Sequence, residues 1–307
     1  MSQLDHGGGI DAAASTFGGP RAAWTDLSTG INPEPYPLGG FAPDAWTALP
    51  DKNAERRLLD AARAFWSVPD EAAILAAPGA SALIARMPTL VGGPAYIPGP
   101  TYNEHAAAFS AANLLSDTPS APVHIHVHPN NPDGRRFQAA LSASITVIDE
   151  SFCDVTPEET RIAETRRPGV IVLKSFGKFW GLAGLRLGFA IAHPSTIASL
   201  SALIGPWPVS GPALEVATRA LSDPAWAAAT RTRLAQDSAR LDRLMAPHSS
   251  LVGGTTLFRL YAVPDAHSFQ TRLAQHQIWS RIFPYSSTWI RLGLPPAARW
   301  SALEAAL

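Results

Sequence analysis

At 307 residues, 46% hydrophobic and with a formal net charge of −1, the chain has room for one large domain and a smaller companion, with ample apolar content for a core. That balance leaves no basic surplus to attract nucleic acid or an anionic membrane, and no apolar run reaches the ~18 residues of a membrane span. One cysteine, Cys153, excludes an intramolecular disulfide framework, and the start lacks the basic and apolar blocks of a signal peptide, so the expected compartment is the cytoplasm.

The first 40 residues are rich in Gly and Pro and close on "STGINPEPYPLGG", which is loop chemistry. Residues 53–66, "NAERRLLDAARAFW", set apolar side chains at helical spacing on one face and Arg on the other. Short apolar runs follow, each ending in polar or turn residues: "AAILAAPGAS", "HIHVHPNNPDG", "SITVIDESF" and "GVIVLKSFGK". Their alternation with helical or loop segments predicts parallel strands joined by crossovers, with ligands bound beyond the strands' carboxyl ends. After Ala192 a long Ala-rich stretch, "PALEVATRALSDPAWAAATRTRLAQDSARLDRLMAP", reads as helix. "TTLFRLYAV" and "STWIRLGLP" read as strands around the helix "AHSFQTRLAQHQ", and "PPAARWSALEAAL" ends the chain as a helix. The expected fold class is α/β. A large, mainly parallel-sheet domain flanked by helices spans 41–205, and a smaller α+β domain is built from residues 1–40 and 206–307.

Polar residues cluster where such a sheet would present them to one cleft. "PGAS" at Pro78–Ser81 follows a strand and precedes a helix, so its backbone N–H groups can receive a phosphate. Asn131 in "NNPDG" offers a side-chain amide, and Asp149 ends a buried run, where a carboxylate is costly without a cationic partner. Ser175, Lys178 and Arg186 follow "VIVL". Basic character is otherwise almost wholly arginine, yet two of the three lysines, Lys174 and Lys178, stand here. A lysine where arginine would serve for charge points to a need for an amine, since arginine stays protonated. Lys174 ends a β run and reads as a structural cation. Phosphate cradle, amide donor, ring-nitrogen acid and amine together match the needs of pyridoxal 5'-phosphate.

These residues carry a family resemblance. "SFGKFWGLAGLRLGF" resembles the lysine motif of fold-type I pyridoxal-phosphate enzymes of the class I/II aminotransferase group. "HPNNPDG" is similar to that group's Asn-Pro-x-Gly turn, "VIDESF" to its Asp-Glu-x-aromatic strand, and "GPTYNEH" to the segment whose aromatic ring stacks on the cofactor. The resemblance implies Lys178 as the Schiff-base lysine, Asp149 as partner of the pyridine nitrogen, Asn131 as donor to the ring 3-oxygen and Tyr102 as the stacking ring. Gly79, Ala80, Ser81, Ser175 and Arg186 match the phosphate contacts, and Arg291 the substrate-carboxylate arginine. Two positions depart from the pattern. Phe152 replaces a tyrosine that often donates to the ring oxygen, and Leu49 stands where many relatives reach a partner's cofactor with a tyrosine. A homodimer is still expected.

The arm "DHGGGIDAAASTFGG...DLSTGINPEPYP" resembles that of the threonine-phosphate decarboxylases of cobalamin synthesis. By that resemblance His6, Gly7, Asn32 and Arg281, with Asn131 and Arg291, would bind a phosphorylated amino acid, and the reaction would be loss of CO2 from O-phospho-L-threonine. An aminotransferase acting on a substrate such as histidinol phosphate stays open, as does a cofactor-binding regulatory module. No metal is expected. His124, His126 and His128 alternate on one strand face, but same-face neighbours stand about 6.6 Å apart at ~3.3 Å per residue, too far to share one zinc.

Overall fold

The computed structural model describes residues 6–307; the first five residues of the expected N-terminal arm lie outside it. The chain forms two compact units. The larger comprises Tyr36–Asn131 and Arg136–Ala228; the smaller comprises the arm through Pro35, Pro132–Arg135 and Ala229–Leu307. Residues 206–228, expected in the smaller domain, group with the larger unit, because the helix Gly211–Leu221 packs along the helix Lys52–Trp66.

Seven strands form the sheet of the larger unit: β1 (Ala73–Ala77), β2 (Ala95–Tyr96), β3 (Leu115–Ser116), β4 (Val123–Val127), β5 (Ile145–Asp149), β6 (Val170–Ser175) and β7 (Gly188–Ala192). Their order is β1-β7-β6-β5-β4-β2-β3. The β2, β3, β4, β5 and β6 pairings are parallel, whereas β7 runs antiparallel to both β1 and β6. The sequence reading had these neighbours as parallel strands and missed β7, whose "GFAIA" is hidden at the end of the lysine motif. Because β7 is reversed, its amino end lies beside the carboxyl ends of β1 and β6. The segments that follow β1, β4, β5 and β6 and the one that precedes β7 therefore meet at one edge of the sheet.

β5, β6 and β7 are apolar on both faces, as strands covered on both sides must be. Val147, Ile171, Leu173 and Ala190 join Leu83, Met87 and Phe109 in one hydrophobic core cluster. The helix Lys52–Trp66 starts where the Asp51 carboxylate accepts from Ala54 N at 2.8 Å and buries Leu58, Ala62 and Trp66. The long Ala-rich stretch is two helices, Gly211–Leu221 and Pro224–Met245, since Pro224 lacks the N–H that would continue the first.

The smaller unit holds an antiparallel sheet of β8 (Ser250–Thr255), β9 (Phe258–Ala262), β10 (Arg281–Phe283) and β11 (Ser286–Gly293), in the order β10-β11-β9-β8. β9, β11 and the helix Ala266–Gln275 fall where the sequence predicts them; β8 and β10 were not read. Thr25–Asp26 of the arm pairs in parallel with Ile278–Trp279. Gly293 lets the arm pass closely: a Cβ there would stand 2.2 Å from Thr29 O. Among the described residues, no helix is long and apolar enough to cross a membrane.

Candidate active site

A cleft of about 660 Å³, open mouth included, lies at the carboxyl edge of the large sheet. Its lining brings together all nine residues expected at the cofactor: Gly79, Ala80, Ser81, Tyr102, Asn131, Asp149, Ser175, Lys178 and Arg186. Each arrives from a strand end, as an α/β sheet dictates. β1 leads into Gly79–Ser81, β4 into Asn131, β5 ends on Asp149 and β6 runs into Ser175 and Lys178. Arg186 precedes the reversed β7.

The turn after β1 is shaped by backbone contact. Gly79 has φ 86° and ψ 156°, a region essentially restricted to glycine, and a Cβ on it would stand 2.7 Å from Arg186 Nη2. A Cβ on Gly188 would stand 2.4 Å from Ala80 N. Arg186 itself has φ 52°, rare for a residue with a Cβ, while its Nη1 donates to Ala183 O at 3.1 Å. The guanidinium is thereby held against the Gly79 turn. Gly79→Ala is expected to cost about 1–3 kcal/mol of stability and to weaken binding of pyridoxal phosphate. Calorimetry beside an absorbance titration checks this; a variant with wild-type values in both would refute the steric argument.

Asp149 is buried. Its Oδ2 meets His105 Nε2 at 2.9 Å, and its Oδ1 accepts from Ser151 N at 2.9 Å and Ser151 Oγ at 2.5 Å. Burial acts to raise this carboxyl, but the bond and charge of His105, with the two bonds from Ser151, prevail and hold it below the ordinary carboxylate value. Asp149 is therefore an ionised acid at neutral pH. His105, fully buried on the helix Asn103–Ala111, was missed by the sequence reading; the signal was its place three residues after Tyr102 on one helix face. The Tyr102 hydroxyl bonds to Ser81, and burial foremost pushes its pKa to about 12, so the ring stays neutral.

Asn130 was also missed. Its Oδ1 accepts from Thr101 Oγ1 at 2.6 Å and its Nδ2 donates to Pro100 O at 3.0 Å, tying the Asn131 turn to the loop that carries Tyr102. Lys178 Nζ stands 5.4 Å from the centroid of the Phe152 ring, the position where a tyrosine was looked for. Lys174 is absent from the cleft. It is buried on the other side of β6, with Glu150 Oε2 at 2.8 Å and Asp154 Oδ1 at 3.2 Å. Burial works against its charge, but the two carboxylates more than offset this and raise its pKa.

Among the described residues, ligand atoms of His128, Glu150 and Cys153 lie within 4.8 Å of one another, the spacing of a metal site. Their bonding argues against a cation. His128 Nδ1 accepts from Phe137 N at 3.0 Å and its Nε2 faces Glu159 O at 2.8 Å, so it carries the proton on Nε2. Glu150 already serves Lys174, Thr160 and Arg161, and burial pushes the Cys153 thiol up, away from thiolate. His124 and His126 do not converge on His128 either, for His126 stacks on Phe137 at 3.7 Å while His124 bonds Pro119 O at 2.8 Å.

The remaining expected substrate residues belong to the smaller unit. Arg281 and Arg291 face each other across β10 and β11. Arg281 Nη1 donates to His6 O at 2.6 Å, and Arg291 Nη2 to Ser28 O at 2.6 Å. Burial first, then the like charge of Arg281, pulls Arg291 down to about 10, which still leaves it charged at neutral pH. His6 and Arg281 line a cavity of about 770 Å³ with its open mouth; Gly7, Asn32 and Arg291 are not in its lining. Asn32 is buried, its Oδ1 accepting from Arg233 Nη2 at 2.7 Å and from Glu34 N at 3.1 Å. Gly7 passes so close to the arm that a Cβ would stand 2.5 Å from Ser28 O.

The comparisons with known proteins concern the family and the fold. Residues 112–306 match the family "Aminotransferase class I and II". A threonine-phosphate decarboxylase of Pseudomonas aeruginosa is 37% identical over 99% of this chain and 97% of its own length. One from a Sinorhizobium species is 37% identical over 95% of this chain and 94% of its own. Among solved structures, the fold matches that of histidinol-phosphate aminotransferase from Sinorhizobium meliloti in complex with pyridoxal-5'-phosphate, with a TM-score of 0.79, 20% identity and coverage of 100% and 94%. L-threonine-O-3-phosphate decarboxylase from Porphyromonas gingivalis gives a TM-score of 0.77 at 19% identity, covering 91% and 97%. The strand-end motifs, the cleft they build and a family match across most of the chain lead to one assignment: this protein belongs to the class I and II aminotransferase family, with its fold-type I architecture.

Proposed function

We propose that this chain is a pyridoxal-phosphate-dependent enzyme that decarboxylates O-phospho-L-threonine to 1-amino-2-propanol phosphate. The observation that carries the cofactor reading is the cleft, where one amine, one ionised acid and a glycine-shaped turn under an arginine meet. These residues fit the group. Lys178 would hold its aldehyde, Asp149 its ring nitrogen, and Gly79, Ala80, Ser81, Ser175 and Arg186 its phosphate. Tyr102 would cover the ring and Asn131 would donate to the 3-oxygen. The substrate reading rests on the full-length likeness to two threonine-phosphate decarboxylases; a histidinol-phosphate aminotransferase of Mycobacterium tuberculosis matches only 68% of the chain at 28% identity.

When bound, pyridoxal phosphate supplies an electron sink for charge that develops at the substrate's Cα. Asp149, kept ionised by His105 and Ser151, would hold a proton at the ring nitrogen. Lys178 Nζ, at the cleft wall, would be the group able to give Cα the proton that replaces departing CO2. Arg281 and Arg291 bring two guanidinium groups together, so an anion received there relieves their mutual repulsion; His6, Gly7 and Asn32 are assigned to the phosphate end. Replacing Arg291 by lysine keeps the charge but loses the planar fork. KM for O-phospho-L-threonine is expected to rise by roughly tenfold or more, and steady-state kinetics returning the wild-type KM would remove the role.

The test of the whole reading is an absorbance spectrum with pyridoxal phosphate, then CO2 release on adding O-phospho-L-threonine. CO2 without a keto-acid acceptor supports the decarboxylase; amino transfer to 2-oxoglutarate without CO2 would move the chain to the aminotransferases.

The enzyme is further expected to be a homodimer. Leu38, Trp46 and Leu49 stand 49%, 71% and 69% exposed within one short stretch of the larger unit, a costly display of apolar surface for a monomer. Sedimentation should give twice the 32.5 kDa chain mass, with Trp46→Lys shifting the equilibrium toward monomer. A wild-type monomer would overturn the expectation.

A further inference from the structure

Behind the cleft, on the far side of β6, sits a buried polar cluster that the proposed reaction does not use. Asp149 and Glu150 are adjacent acids with opposite destinations. Asp149 lines the cleft, while Glu150 turns away to Lys174, as alternation along a strand requires. Lys174 and Ser175 divide in the same way, Ser175 toward the cleft and Lys174 toward the cluster. The second carboxylate in the cluster, Asp154, comes from the short turn Cys153–Val155. Its Oδ1 accepts from Lys174 Nζ at 3.2 Å and from Trp66 Nε1 at 3.0 Å. Its Oδ2 accepts from Trp180 Nε1 at 3.2 Å.

Trp180 lies two residues beyond Lys178, and Lys174 four residues before it. The turn between them is packed hard on its inner side. Phe176 stacks on Trp180 with centroids 4.9 Å apart and planes 7° from parallel, and Trp180 stacks in turn on Trp226 at 5.4 Å and 12°. Phe176, Phe179 and Trp180 are fully buried. Gly177 lies close against the backbone of Ala183: a Cβ would stand 3.1 Å from Ala183 Cα, a tight contact that the neighbour would have to yield to by a few tenths of an ångström. Of this turn, Ser175, Gly177 and Lys178 are the residues that line the cleft.

We propose that Asp154 is a positioning residue for Lys178: by holding Lys174 at the start of the turn and Trp180 at its end, one buried carboxylate fixes where the Lys178 amine stands. The role deepens the cofactor reading and rests on it for its chemical purpose. A buried ion cluster that served stability alone could be rearranged without moving Lys178. The geometry here gives it both ends of the segment that carries the amine.

Only three lysines are present, which makes the test clean. Competitive acetylation of the cofactor-free protein, read by peptide mass spectrometry across pH, follows Lys178 against exposed Lys52 as reference and buried Lys174 as blank. In Asp154→Asn, Lys174 is expected to become labelled and the Lys178-to-Lys52 ratio to depart from wild type. In the loaded enzyme kcat is expected to fall by roughly 10- to 100-fold with KM unchanged, the penalty of a displacement of about 1 Å. Trp180→Phe, which keeps an aromatic ring in the stack but removes the indole N–H together with part of the ring system, is expected to shift both readouts in the same direction, and it decides the matter if Asp154→Asn does not fold. Wild-type labelling and kcat in the folded variants, with only a lowered Tm, would overturn the proposal. If the wild-type protein develops no Lys178-dependent absorbance with pyridoxal phosphate, the cofactor reading fails, while the labelling comparison still tests the positioning.

Discussion

Lys178→Ala is expected to abolish the absorbance that pyridoxal phosphate develops on binding and to cut kcat by roughly 10²- to 10⁴-fold from lost proton transfer alone. The loss does not come from charge. Lys174 is four residues away, but it is buried between two carboxylates and held protonated, so it cannot substitute. Arginine offers no free amine at neutral pH. Removing the side chain is expected to leave the fold intact, because Lys178 lines the cleft wall. An unfolding transition close to wild type, with the spectrum gone, is the expected pair of results; a retained band in this variant would refute Lys178 as the holding amine.

Asp149→Asn carries the second largest expected effect, a fall in kcat on the order of 10²- to 10³-fold, the size seen when one preorganised electrostatic partner is removed. The amide keeps the shape and one acceptor but cannot hold a proton at a ring nitrogen through charge. The neighbouring His105 supplies a graded version of the same experiment. In the wild type, His105 and Ser151 overcome burial and hold Asp149 low, so the acid limb of activity lies below the ordinary carboxylate range. Removing the histidine leaves burial opposed only by Ser151. The acid limb of His105→Leu should therefore move to higher pH, and a limb that stays in place would sever His105 from the function of Asp149. The sign for stability follows the same depression: Asp149 contributes above the ordinary carboxylate value, and that contribution is lost as pH falls through its lowered one.

The cleft was legible because its chemistry sits at strand ends, where local sequence shows both the apolar run and the polar residue that stops it. "ITVID" followed by "ESF", and "VIVLKS" followed by "FGK", each declare a strand and what it delivers. What escaped depends on distance along the chain. His105 reaches Asp149 across 44 residues, where its spacing from Tyr102 marks a helix face but not the partner, and Trp66 reaches Asp154 across 88 with no local pattern. Asp154 lies in "CDVTPEE", which reads as an ordinary loop. The reversed direction of β7 was equally invisible, since five small and apolar residues look the same in parallel and antiparallel pairings. Tertiary context also split the Ala-rich helix and carried residues 206–228 into the larger unit.

The paired acids at the end of β5 bear on how the strand finds its alignment. Sliding a strand by one position exchanges its faces. For β5 such a slip would offer Glu150 to the cleft and Asp149 to Lys174, so acid would replace acid on both sides and charge would scarcely object. The alignment must be enforced elsewhere: by the ladders to β4 and β6 on either edge, by the bond from Glu150 N to Leu173 O at 2.9 Å, and by the fit of Val147 and Ile148 on opposite faces. The accuracy of the acid in the cleft is thus inherited from aliphatic neighbours that never touch a ligand.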